Sequence, residues 1–194
     1  MIAHLYERYL TNTGKVEVTD RMIEALIMTM IHEGPRVIAE PDNYQPRANI
    51  MWAGMMAHNN SCGVGCSQDW NSHNIEHELS AQYDCAHGTG LAVTMPAVFT
   101  YVIQHDITRF AQIAVRVWGC RMDFYPPEKT AADGIAALRR FLISIGMPSN
   151  FKELGAKEED IEKMARVCAF GDGRPAISRA LPGSIRKILK ASTA

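Results

Sequence analysis

The sequence has almost no charge imbalance, no long apolar run and no paired set of cysteines, and each lack removes a class of protein. Lysine and arginine number 20 against 21 aspartates and glutamates, a net charge of −1 with the seven histidines neutral. No basic run stands out, so a nucleic-acid partner is not expected. The longest apolar stretch, residues 91–103, is interrupted by Thr94, Pro96 and Thr100. It is too short and too broken to span a bilayer, so a membrane is not expected either. His4, Glu7 and Arg8 do not suit a signal peptide. Cys62, Cys66, Cys85, Cys120 and Cys168 form an odd, scattered set, which argues for reduced thiols in a cytoplasmic protein. Strand-like alternation is nearly absent, and there is no repeat or low-complexity segment.

What is present is helical spacing and enough apolar residues, 47% of the chain, for a sizeable core. Residues 1–9 read as helix from the first residue, although no Ser, Thr, Asp or Asn precedes them to cap it; the start has the look of a cut. Thr19 can cap a second helix with Met22, Ile23, Leu26, Ile27, Met30 and Ile31 on one stripe, stopped by Gly34-Pro35. Pro46 suits the first turn of a third, through about Ala57. Asp69 can cap a fourth over 70–83. Residues 87–90 lead into an apolar helix with Pro96 near its start. Asp106 or Thr108 opens another, to Trp118, ended by Gly119. After Pro126-Pro127 come helices over 130–145, ended by Gly146, then 160–169 and 181–190. The expected fold is all-α, a multi-helix bundle, forming a single domain over 1–194.

The chemistry concentrates in Ser72-His73-Asn74-Ile75-Glu76-His77 and the following residues to His87-Gly88. His73 and His77 are four apart and share a helix face. His87 lies beyond the helix end, after a turn that can fold it back over that face. Imidazoles so placed suit zinc or ferrous iron. A single helical histidine is more often a surface or hydrogen-bonded group, but here three of seven fall within fifteen residues. Two other readings compete. His73-x-x-Glu76-His77 matches the inverted motif of zinc peptidases, with Glu76 as general base, but it leaves His87 without a role. A cysteine site from Cys62, Cys66 and Cys85 has loose spacing, and idle thiols explain those residues more simply.

The segment resembles the iron-containing alcohol dehydrogenases, in particular their butanol dehydrogenase-like branch. Asp69-Trp70, residues 73–81 and residues 84–91 carry the likeness, with Gly34-Pro35, Tyr44, Arg47-Ala48-Asn49, Met51-Trp52-Ala53 and residues 1–9 upstream. It runs to about Phe151 and is weaker beyond.

The resemblance implies the helical C-terminal domain of the dehydroquinate synthase-like type, binding one divalent metal, usually Fe2+, with Zn2+ or Ni2+ as substitutes. The metal ligands it implies are His4, His73 and His87, the last two fourteen apart. An aspartate ligand would fall one position before Met1. His77, which spacing alone would pair with His73, becomes instead a catalytic histidine lining the site. The α/β domain that would bind NAD(P)H is not among these residues, and no residue here is assigned to the cofactor. The function implied is alcohol–aldehyde interconversion on small substrates, with this chain inactive alone, its metal site weakly occupied, and a homo-oligomer formed through apolar surface left open. A peptidase and a non-catalytic metal-binding module are the alternatives.

Overall fold

The structure, a computed structural model, describes residues 1–14, 16–170 and 182–193. Among the described residues ten α-helices follow in order: α1 (Ile2–Tyr9), α2 (Glu17–Ala39), α3 (Tyr44–His58), α4 (Asn71–Tyr83), α5 (His87–Val102), α6 (Ile107–Arg116), α7 (Pro127–Ser144), α8 (Phe151–Leu154), α9 (Ile161–Phe170) and α10 (Pro182–Ala191). No strand occurs among the described residues, so the all-α expectation holds. None of their helices is long and apolar enough to cross a membrane. The chain divides into two compact units, Met1–Asp69 with Ile107–Ala137, and Trp70–Asp106 with Leu138–Ala194.

In the first unit α2 packs along α3, and α1 lies against both. Its core is built from Leu5, Tyr9, Ile23, Ile27, Ala57 and Cys62, all fully buried. The stripe on α2 is the reason: Ile23, Ile27 and Met30 recur at helical spacing and are inside, whereas Met28 faces out. Gly34-Pro35 does not stop this helix, which continues to Ala39 with Pro35 inside it. Pro35 is exposed, so its ring meets solvent rather than the core, where the cost of a proline is smaller. Thr19 is not the cap: Val16 occupies that position, and the Thr19 hydroxyl donates to the Val64 carbonyl at 2.9 Å. On α3 the helix begins two residues before Pro46, and Asn43 caps it by accepting from Gln45 N at 3.1 Å. A strip of α3 is left apolar and open, with Tyr44, Met51 and Trp52 all more than half exposed.

The clamp on α1 is polar. Arg109 donates to the Tyr9 carbonyl at 2.7 Å, grips the buried Asp20 carboxylate with both terminal nitrogens, and lies 4.2 Å over the Tyr9 ring. The Tyr9 hydroxyl donates to Glu24 at 2.7 Å, and Trp118 Nε1 donates to the Tyr6 hydroxyl at 2.6 Å. Burial pushes both phenols well above the ordinary tyrosine range, so they stay neutral donors and acceptors in this network.

In the second unit α4 and α5 are neighbours, α9 packs on α4, and α10 packs on α9 and α5. Ile75, Leu79, Met95, Leu138, Met164, Ile185 and Leu189 fill the centre. Every residue from Gly90 through Phe99 is buried, so the apolar run is a helix enclosed on all sides. It starts at His87, which puts Pro96 in its middle. The last helix begins at Pro182; Leu181, where the spacing opens it, is outside the described residues.

Candidate metal centre

The site is assembled at a tight reversal between α4 and α5. Asp84 ends α4 in the left-handed conformation, φ +50°, and three residues later His87 is the first residue of α5. A reversal this short returns the chain over the face of α4 that carries His73, Glu76, His77 and Ser80, which recur at helical spacing. Trp70, at the N-cap of α4, packs its ring nearly perpendicular to that of His73, with centroids 5.2 Å apart. The N-cap is thus Trp70 rather than Asp69, and it makes no side-chain cap hydrogen bond.

The three rings converge. Centroids of His73 and His87 are 5.3 Å apart, those of His77 and His87 5.5 Å, and those of His73 and His77 6.5 Å. Two imidazoles on one ion, each with its nitrogen at about 2.1 Å and in a tetrahedral arrangement, have centroids roughly 5.3 Å apart. Both pairs that include His87 lie near that spacing, and the His73–His77 pair is wider. His73 is buried at 6% exposure, whereas His77 and His87 are open to solvent. Glu76, fully buried, touches His87 Nδ1 with one carboxylate oxygen. Ligand atoms of Glu76, His77 and His87 all lie within 4.8 Å of one another. This donor set of imidazoles with a carboxylate at hand suits a borderline divalent ion such as Fe2+ or Zn2+, so the residues fit such a metal.

His4 lies in the other unit, in the first half of α1. Its ring packs on that of His58 of α3, centroids 4.2 Å apart and tilted by 47°, and His58 Nδ1 is 2.6 Å from the Gly54 carbonyl. Sequence reasoning missed His58, and nothing in the local pattern would have marked it. It also missed what Glu76 touches; an acid between two candidate ligands was the available signal.

No group of three or more possible ligands that includes a thiol lies close enough to share an ion among the described residues. Cys62 is buried, and burial raises the thiol pKa values of Cys62, Cys66 and Cys168. That keeps them protonated and poor ligands.

The family profile described as "Fe-containing alcohol dehydrogenase family, C-terminal" matches residues 1–191. The chain belongs to that family. Among curated members, the NADH-dependent butanol dehydrogenase B of Clostridium acetobutylicum is 36% identical over 168 residues, 86% of this chain and 43% of that protein. The NADPH-dependent aldehyde reductase YqhD of Escherichia coli is 33% identical over 163 residues, 84% of this chain and 42% of that one. The crystal structure of the NADH-dependent butanol dehydrogenase A of Thermotoga maritima superposes with a TM-score of 0.91 at 32% identity, covering all of this chain and 50% of that one. This chain therefore spans about half the length of the iron-containing alcohol dehydrogenases it matches. A peptidase is not favoured: the family match excludes it from first place, and Glu76 is buried against His87 and Ser80 rather than open to a water it could activate.

Proposed function

We propose that residues 1–194 act as one helical metal-holding domain of an NAD(P)-linked alcohol or aldehyde oxidoreductase. The observation that supports it most is the convergence of His73, His77 and His87 at one reversal, with His73 and His87 at the spacing of co-ligands. In this reading His73 and His87, together with His4 of α1, hold a ferrous ion through neutral imidazoles, and zinc or nickel can take the same donors. When bound, the ion supplies a Lewis acid for the substrate oxygen, and NAD(P)H, held by a preceding α/β domain of the full-length enzyme, supplies hydride. His77, exposed beside His87, orients the substrate oxygen and exchanges a proton with it. The Trp70 ring walls the site beside His73, which favours small aliphatic alcohols and aldehydes. The five free cysteines support a cytoplasmic location, and the open apolar strip of α3 supports a homo-oligomer.

The test is Co2+ or Zn2+ titration of the purified chain. H73A and H87A should each abolish whatever binding the wild-type chain shows, H4A should weaken it, and H77A should retain it. Undiminished binding by H87A would sink the reading. The 194-residue chain alone should not reduce butanal with NAD(P)H above a metal-stripped control; turnover there would show that the chemistry needs no further domain.

A further inference from the structure

Glu76 is a fully buried carboxylate that meets a serine and a histidine rather than a lysine or arginine. The Ser80 hydroxyl donates to Oε1, and His87 Nδ1 meets Oε2. A carboxylate accepts hydrogen bonds and has no proton to give, so Nδ1 is the donor. The lone pair of His87 is then on Nε2, and the ring plane is pinned by a group that is itself pinned. One turn into α5, Gly90 faces the same carboxylate. A Cβ at residue 90 would stand 2.5 Å from Glu76 Oε1, 2.7 Å from Cγ and 3.0 Å from Cδ. Nothing so close is tolerated between non-bonded atoms, and a fully buried side chain held at both oxygens has nowhere to retreat. Gly88 has nothing within 4 Å of the equivalent position. The glycine at 90 is thus where the carboxylate sits, and the one at 88 is open.

We propose that Glu76 is the positioning residue of the site: it selects the Nδ1–H tautomer of His87, leaving Nε2 as the ligating atom, and Gly90 is glycine to leave room for it. This rests on the reading that His87 holds the ion, and the experiment separates the two. In the full chain without metal, 15N-resolved NMR of the imidazoles reports the His87 tautomer, and Zn2+ competition titration reports affinity. Wild type should show Nδ1–H. E76Q, whose amide can donate as well as accept, should lose the tautomer preference and bind Zn2+ roughly 10–100-fold more weakly. G90A, with Glu76 untouched, should do the same, whereas G88A should do neither. S80A, which removes one anchor of Glu76 at a half-buried position, should give a smaller change in the same direction and serves if E76Q folds poorly. An unchanged tautomer and affinity in E76Q, G90A and S80A overturn the proposal. So does complete loss of Zn2+ in E76Q together with normal binding in H73A, because Glu76 would then be a ligand itself. Intact binding in H87A would instead defeat the functional reading, while the His87 tautomer compared between wild type and E76Q would still report on Glu76.

Discussion

Removing the Asp20 carboxylate should unfasten α1 and with it His4. Asp20 is 2% exposed and Arg109 12%, and the two are joined at both terminal guanidinium nitrogens. Stripping one partner from a buried pair leaves the other charge dehydrated and unanswered, which costs roughly 3–5 kcal/mol. In D20A, Arg109 still donates to the Tyr9 carbonyl and lies over its ring, so the lower end, about 3 kcal/mol, is expected. For a chain of this size that lowers Tm by about 6–12 °C. E17Q is the contrast: the Glu17–Arg21 pair is 57% exposed on both sides, and solvent screening should hold its loss within about 0.5 kcal/mol. Urea denaturation followed by circular dichroism measures both, and R109M added to D20A should cost less than the two singles summed, since they break one interaction. The loss in D20A should also be nearly independent of added salt, as the pair is shielded from it. A D20A variant within about 1 kcal/mol of wild type would refute the reasoning: the pair would be solvated and the clamp on Tyr9 dispensable.

Two further outcomes follow from burial and from close approach. Burial, aided by Glu78, pushes the Cys168 thiol from 9.0 up to about 11. The folded value lies above the unfolded one, so the contribution to stability is fully present below pH 9 and is lost as pH rises through 11. Iodoacetamide at pH 8 should leave Cys168 of the native chain unmodified, since on the order of 0.1% is thiolate; labelling as fast as in urea would contradict it. A Cβ at Gly134 would stand 2.5 Å from Ala114 Cβ and 3.0 Å from its Cα. G134A should therefore destabilise by about 1–3 kcal/mol despite its better helix propensity. G183A, in α10 with nothing within 4 Å, should be neutral or stabilising by up to about 1 kcal/mol. Thermal melts of the two variants decide it, and equal effects would show that the α6–α7 approach yields easily.

Much of the architecture could be read from spacing alone, because helix formation is governed by neighbours three and four residues away. The stripe of Ile23, Ile27 and Met30 is buried, Gly119 and Gly146 sit past helix ends with φ of +66° and +80°, and no strand appears among the described residues. The motif around His73 and His87 was equally legible, and the family profile matches residues 1–191. Helix limits were less so. Pro35 is carried inside α2 because its position faces water, and exposure is a property of packing rather than of the residue. The partners of the functional groups were beyond reach for the same reason. Glu76 meets His87 eleven residues on because Asp84 turns the chain sharply. Arg109 meets Asp20 across 89 residues, and His4 meets His58 because α1 crosses α3. Local sequence determined which segments are helices and which residue types gather at the α4–α5 reversal. Only the tertiary structure decided which buried charge faces which donor, since that depends on where helices cross and which side chains the crossing shuts off from water.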